Sequence, residues 1–358
     1  MEMTTESSGL HIDIITSKNS KINTVNFDEL EFGRIFTDHM FVCDYKDGKW
    51  GSPQIQPYGP MSIDPSARVF HYGQAVFEGM KAYKDDQGDI FMFRPEDNHD
   101  RINKSAARLA IPEFPKDYFI EGLKALLHLE KDWIKVGLGK SLYIRPFVIA
   151  TEPAISASPA NEYQFIIICS PAAAYYAGEV RVLFAEEYSR SADGGVGFAK
   201  AAGNYAAQFY PTELAKKKGF NQIIWTDANT HKYLEEAGTM NIFFRINNSL
   251  LTAPNNDRIL DGITRKSVLQ LAEDYNIDHD IRRVSVQEIK DAAKNGSLKE
   301  IFGAGTAAVI NPISAFEHDG FTFELQKQDD SYANFFKDKL TKIQHNLADD
   351  PHGWRYKV

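Results

Sequence analysis

The pattern of apolar and polar positions along the first half of the chain predicts short strands interrupted by two helices. Hairpins are expected over residues 39–50 and 79–93, because a polar turn containing Asp and Gly separates two apolar stretches in each. Apolar residues at helical spacing predict helices over about residues 98–110 and 116–135. Strands are also expected over residues 141–151 and 163–170, and the second, apolar throughout, is expected to be central in a sheet.

In the second half, predicted strands alternate with predicted helices. The strands cover about residues 180–186, 221–226 and 240–246. The helices cover residues 204–218, 264–275, a stretch opened by the Ser285–Glu288 capping box, and a last segment striped by Phe335, Phe336, Leu340 and Ile343. The sum is a mixed α/β chain: an extended arm (1–30), a small α/β domain (31–176), a linker (177–190) and a larger α/β domain (191–358).

Composition narrows the class of protein. The chain has 358 residues and a formal net charge of -9, which argues against a nucleic-acid footprint. No apolar run is long enough to span a membrane, and the first residues resemble neither a secretion signal nor a mitochondrial presequence. The two cysteines, Cys43 and Cys169, are far apart and are expected to be buried free thiols in a reducing compartment. No metal site is expected.

The stretch FAKAAGNY (198–205) places one lysine, Lys200, among small residues. Three glycines precede it, and no other charged residue lies within the octapeptide. Most lysines lie on wet surfaces beside other charges, so this setting favours an amine that faces a ligand. Taken alone, the stretch is also compatible with an ordinary surface loop.

A carbonyl cofactor would explain this lysine. To form an imine, Lys200 needs a neutral amine, which burial favours. If the cofactor is pyridoxal phosphate, a carboxylate must also face the pyridine nitrogen so that the ring can accept electrons. LEEAGTMNIFF offers Glu235 and Glu236 before an apolar strand. A solvated turn is expected for one of them, and Glu236 is the candidate for the cofactor.

Three further features suit a phosphate or a ring oxygen. ILDGITRKSVL predicts a turn running into a helix, whose first amides near Ile263 and Thr264 can bind phosphate. GAGTAAVI (303–310) is a small-residue turn that a ligand can approach closely. Arg101 offers a cation, and Tyr205 could reach the ring oxygen. Singly, each has a plainer alternative: a capped helix, a Gly-rich loop, or an unrelated side chain.

Six ordered motifs together resemble the branched-chain amino acid aminotransferases, which are class IV, fold type IV pyridoxal-phosphate enzymes. They are HYGQAVFEGMKAY with FRPEDNHDRINKSAARL, LYIRP, GGVGFAKAAGNYAA, EEAGTMNIFF, LDGITRKSVL and FGAGTAAV, and the resemblance runs from about residue 30 to the end. It implies two α/β domains with pyridoxal 5'-phosphate at their interface and a homodimer. Together with the N-terminal sequence, it suggests a cytoplasmic location.

The resemblance also implies roles for individual residues. Lys200 would be the Schiff-base lysine and proton shuttle, Glu236 the partner of the pyridinium nitrogen, and Tyr205 the holder of the ring oxygen. The phosphate would be held by Arg101, the amides of Ile263 and Thr264, and Thr306. An apolar substrate pocket would be lined by Tyr72, Phe77, Tyr143 and Tyr175. The substrate α-carboxylate would bind the amides of the Thr306-Ala307 turn.

Arg145 bears on the choice of substrate. An enzyme of this kind must accept an aliphatic side chain in one half-reaction and the distal carboxylate of glutamate in the other. An aromatic pocket with a cation at its rim serves both, since burial holds the chain and charged hydrogen bonds hold the carboxylate. Strand alternation places Tyr143 and Arg145 on the same face. An ion pair at a strand edge is the alternative role for Arg145.

The resemblance implies reversible ping-pong transamination of L-leucine, L-isoleucine and L-valine with 2-oxoglutarate, giving branched 2-oxo acids and L-glutamate. D-amino acid aminotransferase or aminodeoxychorismate lyase activity is the alternative on the same fold, and Arg145 with its aromatic neighbours argues against both. A nucleotide-binding protein is a third interpretation, but GxxxxGK[ST] is absent and no GxGxxG follows a strand. A non-catalytic relative is a fourth, opposed by the presence of Lys200 and Glu236.

Overall fold

The structure is a computed structural model that describes residues 2–7, 10–173 and 179–358, so Tyr175 lies outside the described residues. In chain order the strands are β1 (Glu2–Ser7), β2 (Leu10–Ile15), β3 (His39–Lys46), β4 (Lys49–Trp50), β5 (Gln54–Pro57), β6 (Ala75–Phe77), β7 (Met80–Lys84), β8 (Ile90–Phe93), β9 (Ser141–Ala150), β10 (Tyr163–Ala172), β11 (Val180–Phe184), β12 (Gln222–Thr226), β13 (Tyr233–Ala237), β14 (Asn241–Ile246), β15 (Ser249–Thr252), β16 (His279–Ile281), β17 (Val284–Ser285), β18 (Leu298–Gly305), β19 (Val309–His318), β20 (Phe321–Glu324) and β21 (Arg355–Lys357). The α-helices are α1 (Arg68–Tyr72), α2 (Pro95–Arg108), α3 (Lys116–Leu129), α4 (Gly203–Ala206), α5 (Phe209–Lys217), α6 (Ile263–Asp274), α7 (Val286–Lys294) and α8 (Tyr332–Gln344).

The chain folds into two compact units. Unit 1 comprises Met1–Tyr175, Ala199–Ala202 and Lys342–Val358, and unit 2 comprises Tyr176–Phe198 and Gly203–Thr341. Unit 1 therefore includes two segments from the range that the sequence assigned to the larger, C-terminal domain. Backbone pairing explains both, because Ala201 forms a bridge with Val76 and β21 pairs with β8.

Unit 1 is built on one mixed sheet. Within the described residues its order is β1-β2-β5-β3-β10-β9-β7-β8-β21, with β4 beside β3 and β6 beside β9. The predicted hairpin over residues 39–50 is present as β3 and β4, and Asp47 and Gly48 both adopt positive φ as a tight hairpin turn requires. The core between the sheet and helices α2 and α3 combines aliphatic and aromatic side chains, with Phe114 stacked on Phe165 at 3.7 Å.

Part of the N-terminal region expected to be an arm is integrated into this sheet. Strand β2 pairs in parallel with β5, and Ile12 and Ile14 are buried in the unit 1 core. The alternation of Leu10, Ile12 and Ile14 with polar residues is the two-residue period of a half-buried strand.

Unit 2 contains a closed ring of six strands. The sheet order β16-β15-β14-β18-β19-β11-β12-β13-β17 would be open, but β13 also pairs with β14. The closing pair is Glu236 with Asn241, and it leaves both side chains buried. Barrel closure removes free strand edges and fixes the residues that form the seam.

Two sequence predictions in unit 2 are wrong in detail. The helix expected over residues 204–218 is two helices, α4 and α5. Pro211 has no N–H to donate to the carbonyl of Ala207, so the helix restarts at Phe209, where proline falls in the first turn and is tolerated. The helix expected over residues 264–275 ends one residue earlier, and Tyr275, its C-cap, is 46% exposed. The Ser285 cap is as predicted: its hydroxyl accepts from the amide of Glu288.

Among the described residues, no helix is long and apolar enough to cross a membrane. The same residues contain no cluster of three or more His, Cys, Asp and Glu side chains able to hold a metal ion. Cys43 and Cys169 are buried free thiols, as the sequence predicted.

Candidate active site

In unit 1, Lys200 is held through its backbone. Its amide donates to Ser105 Oγ on α2 (2.9 Å), and its carbonyl accepts from the amide of Phe77 (3.1 Å). The Lys200 ammonium lies 4.7 Å from the centroid of the Phe77 ring. The lysine is therefore tied to helix α2 and to β6, and its amine lies against an aromatic face. A solvated loop would impose neither constraint, so this setting differs from that of an ordinary surface lysine.

Arg101, the predicted phosphate cation, is buried on α2 beside an acid that the sequence analysis did not single out. Glu78 accepts from Arg101 Nε and Nη2, both at 2.7 Å, and from Asn98 Nδ2 at 2.7 Å. Glu78 has no exposed surface and follows directly after Phe77. Burial would raise the pKa of Glu78, but the charge and hydrogen bonds of Arg101, together with the Lys200 cation, hold that pKa below its usual value.

The predicted substrate residues Phe77, Tyr143 and Arg145 form one group in unit 1. Arg145 Nη2 donates to the Tyr143 hydroxyl at 3.0 Å, which the shared face of β9 allows. The Arg145 guanidinium carbon lies 4.7 Å from the Phe77 centroid, and Phe32 packs edge-on against Tyr143. The Phe77 ring thus contacts two cations, Lys200 and Arg145.

Tyr72 has a different setting in unit 1. The residue is 47% exposed at the end of α1, and its hydroxyl donates to the carbonyl of Ile155. Tyr175, the fourth predicted pocket aromatic, lies outside the described residues.

Unit 2 places Glu236 at the seam of its strand ring. Arg190 Nη1 lies 2.9 Å from Glu236 Oε1, and the amide of Leu260 donates to the same oxygen at 3.1 Å. Asn241 Nδ2 donates to the other oxygen at 3.1 Å and to the carbonyl of Leu260 at 2.9 Å. These donors surround a carboxylate that is 4% exposed. These partners compensate a negative charge on the acid, and a protonated ring nitrogen would need that charge opposite it.

The expectation that one of the two neighbouring acids is solvated is wrong. Glu235 is 5% exposed, because β13 continues through it and turns its side chain to the opposite face from Glu236. Glu235 forms an ion pair with Arg258, which also pairs with Asp193. Burial raises the pKa of Glu235, and the hydrogen bond from Arg258 opposes that effect.

The start of α6, predicted to bind phosphate, has no side-chain cap. Gly262 is its N-cap, with extended φ and ψ, and Ile263 and Thr264 begin the helix, both buried. A Cβ at Gly262 would collide with the side chain of Asn241, so only glycine allows this contact between α6 and the seam residue that holds Glu236. Uncapped first-turn amides are the groups that bind anions at helix N-termini.

The small-residue turn and Tyr205 also belong to unit 2. Thr306 and Ala307 form a tight turn between β18 and β19, where Gly305 pairs with Val309. Gly305 lies so near the carbonyl of Thr239 that an added Cβ would be 3.1 Å from that oxygen. Tyr205 is half-buried on the short helix α4.

Three residues of these two clusters were missed by sequence reasoning: Glu78, Arg190 and Asn241. Glu78 carried a usable signal, since an acid between aromatic and small residues in AVFEGM is costly to bury unless it is paired. Arg190 and Asn241 carried none. They meet Glu236 only through tertiary structure, and no local pattern indicates that the strand ring closes at Glu236 and Asn241.

Both clusters fit a pyridoxal phosphate group. Unit 2 offers a buried carboxylate paired with an arginine for the ring nitrogen, and uncapped helix amides for an anion. Arg190 Nε and Ser191 Oγ are buried and have no hydrogen-bond partner among the described residues. Unit 1 offers an amine against an aromatic ring and a buried arginine. A carboxylate, an amine and anion-binding groups are the set that this cofactor requires.

Comparison with known proteins decides the family. Residues 75–316 match the family model described as amino-transferase class IV. The branched-chain-amino-acid aminotransferase 2 of Bacillus subtilis (strain 168) is 42% identical over 354 residues, covering 98% of this chain and 97% of that protein. The chain belongs to the branched-chain-amino-acid aminotransferases. Membership in this family confirms the predicted resemblance, the transaminase activity and the fold type IV architecture, and it implies use of pyridoxal phosphate.

Solved structures of branched-chain aminotransferases share the fold. The enzyme from Thermoproteus uzoniensis with norvaline has a TM-score of 0.73 at 24% identity, covering 89% of this chain and 99% of that one. The enzyme from Thermobaculum terrenum in its PLP form has a TM-score of 0.72 at 19% identity, covering 89% and 98%.

Proposed function

We propose that this branched-chain aminotransferase binds pyridoxal 5'-phosphate and exchanges amino groups between L-leucine, L-isoleucine or L-valine and 2-oxoglutarate. The observation that carries the proposal is the Phe77 ring, with Lys200 and Arg145 each 4.7 Å from its centroid. Lys200, the amine that would act on the reacting carbon, and Arg145, a cation, therefore lie against the same aromatic ring. That spacing suits a substrate whose side chain is either branched and apolar or ends in a carboxylate.

Two forces would hold the two kinds of side chain. An aliphatic side chain buried against Phe77 and Tyr143 gains about 1.5–3 kcal/mol. A glutamate carboxylate meeting Arg145 and the Tyr143 hydroxyl gains charged hydrogen bonds worth about 1.5–3 kcal/mol each. Because both kinds of side chain gain free energy from the same group of residues, one pocket serves both half-reactions.

The remaining predicted residues complete the proposal. When bound, the cofactor supplies an electron sink for negative charge at the substrate α-carbon. Lys200 would hold the cofactor and move the α-proton, while Glu236, paired with Arg190, would serve the ring nitrogen. The phosphate is assigned to Arg101, Thr306 and the first amides of α6. The ring oxygen is assigned to Tyr205, and the substrate α-carboxylate to the Thr306-Ala307 turn.

A visible absorption spectrum tests the proposal. The purified protein, incubated with pyridoxal phosphate, should become yellow, lose that colour with L-leucine alone, and regain it with 2-oxoglutarate. Lys200→Ala should show no steady-state transamination. A yellow protein indifferent to L-leucine would refute the substrate assignment, and a protein that stays colourless would refute the assignment of Lys200.

We also propose that the enzyme is a cytoplasmic homodimer with small-molecule substrates only. The family resemblance supports the dimer, and the two buried free thiols suit a reducing compartment. Light scattering of the purified protein would test the dimer, and a monomer mass would refute it.

A further inference from the structure

Glu78 is a fully enclosed charged group near Lys200. It lies between β6 and β7, has no exposed surface, and its amide donates to the carbonyl of Pro146 at 2.7 Å. Its carboxylate accepts from Arg101 Nε and Nη2 and from Asn98 Nδ2, each at 2.7 Å, and from the Gly79 amide at 3.1 Å. The acid is thus fixed by both its backbone and its side chain.

One face of α2 connects this acid to the lysine. Asn98, Arg101 and Ser105 are spaced three and four residues apart, so they line a single buried stripe of the helix. The first two bind Glu78, and the Ser105 hydroxyl accepts from the Lys200 amide. The Lys200 carbonyl in turn accepts from Phe77, the residue before Glu78. A displacement of Glu78 would therefore reach both Arg101 and Lys200.

The charges around Glu78 are unequal. Arg101 faces it from α2 and Lys200 faces it from the Ala199–Ala202 segment, while Asn98 and the Gly79 amide are uncharged donors. Across the Phe77 ring, β9 contributes the Arg145 cation. Glu78 therefore supplies negative charge to a part of unit 1 that holds three basic side chains, and its loss would leave those cations less well compensated.

We propose that Glu78 is a positioning residue of the transaminase reaction. Its two-point contact orients the Arg101 guanidinium for the cofactor phosphate, and its negative charge compensates the basic side chains beside it. The inference rests on the proposed function, because it assumes that Lys200 and Arg101 hold pyridoxal phosphate. A purely structural ion pair would stabilise the fold but would change neither the affinity for the cofactor nor the pH dependence of the loaded protein's spectrum.

Two substitutions separate the two effects of Glu78. Glu78→Gln removes the charge and the two-point acceptor, whereas Glu78→Asp keeps the charge on a shorter side chain that cannot reach Arg101 in the same way. Glu130→Gln is a matched control, since Glu130 is a 1% exposed acid of the same unit that pairs with His39 instead. Far-UV circular dichroism would verify that each variant is folded.

The first measurement is the affinity of the cofactor-free protein for pyridoxal phosphate, followed by tryptophan fluorescence. Partners that orient a binding group change affinity about 10- to 100-fold at metal sites, and we expect at least about a tenfold loss here for both Glu78 variants. Glu130→Gln should stay within about twofold of the wild type, since it contacts His39 rather than Arg101 or Lys200.

The second measurement is the visible spectrum of the loaded protein as a function of pH. Glu78→Gln removes a negative charge from beside the loaded site, so the midpoint of the spectral change of the loaded protein should fall by about one pH unit. Glu78→Asp should keep the wild-type midpoint. If Glu78→Gln does not fold, the Asp variant still tests the proposal through affinity, and Asn98→Ala should weaken binding without moving the midpoint.

The outcomes are distinguishable. An unchanged midpoint in Glu78→Gln, or an equal shift in Glu130→Gln, would overturn the proposal and leave the proposed function intact. Wild-type affinity in both Glu78 variants would also overturn it. A wild-type protein that binds no pyridoxal phosphate would overturn the proposed function and this inference together.

Discussion

Gly79→Ala should damage substrate recognition by displacing one tyrosine. An added Cβ at Gly79 would lie 3.0 Å from Tyr143 Cζ, and nearer still to the hydroxyl. Ordinary carbon contacts begin at 3.4 Å, so the ring must move by more than 0.4 Å. Tyr143 is 8% exposed, with Phe32 against its ring and Arg145 on its hydroxyl, and it has little room to yield.

The expected cost follows from those contacts. Overpacking of this kind costs about 1–3 kcal/mol, and a hydrogen bond to a charged group is worth about 1.5–3 kcal/mol. Moving the Tyr143 ring weakens the hydrogen bond between its hydroxyl and Arg145, the pair that would bind the substrate carboxylate. Each loss of about 1.4 kcal/mol from that binding corresponds to a tenfold weaker affinity. We therefore expect KM for glutamate and 2-oxoglutarate to rise about tenfold or more, with a smaller change for L-leucine, which does not need the cation.

The assay is steady-state transamination with each substrate in turn. Gly59→Ala is the matched control, because a Cβ there meets nothing within 4 Å and the residue has no positive φ. The control should behave like the wild type. Equal KM values for glutamate in the wild type and Gly79→Ala would refute the reasoning, as would an equal rise for glutamate and L-leucine.

Three further predictions concern buried groups. Arg190→Met leaves the Glu236 carboxylate without its cation and should lower the free energy of unfolding by about 3–5 kcal/mol in urea titration; an unchanged value would contradict the pairing. Burial raises the pKa of Cys43 to about 12 and that of Cys169 well above its usual value, so neither thiol should react with Ellman's reagent at neutral pH until the protein is unfolded. Burial lowers the pKa of His345 to about 4, so between about pH 6.5 and pH 4 the unfolded chain binds a proton that the native state excludes. The free energy of unfolding should therefore fall as the pH drops through this range. His345→Asn should make the free energy of unfolding less dependent on pH there.

The sequence predicted most elements of the fold because their signals are local. Apolar runs marked β9 and β10, and a Ser and a Glu three residues apart marked the start of α7. The break between α4 and α5 was missed although Pro211 indicated it. The burial of β2 was missed although Leu10, Ile12 and Ile14 alternate with polar residues; the pairing of this strand with β5 is what the local pattern does not indicate.

For the candidate site, the candidate catalytic residues could be predicted from the sequence, but the side chains that contact them could not. Lys200 and Glu236 stood out through their small and apolar surroundings. The partners Glu78 and Arg190 lie far from them along the chain, so their contacts depend on tertiary structure. A sequence pattern can indicate that a buried acid requires a cationic partner, but it does not identify the residue that provides the cation.

The discontinuity of unit 1 limits how this protein can be recombined. Its shortest piece, Ala199–Ala202, is encoded between two stretches of unit 2 and carries Lys200. A single crossover between two relatives, placed after β10 and before Ala199, would give a unit 1 whose lysine came from one parent and whose Ser105 and Phe77 came from the other. Chimeric enzymes would need several crossovers to inherit a unit intact. The Lys200 backbone bonds to Ser105 on α2 and to Phe77 on β6, although 95 positions separate Lys200 from Ser105. Substitutions in β6 or α2 must therefore remain compatible with the Ala199–Ala202 segment.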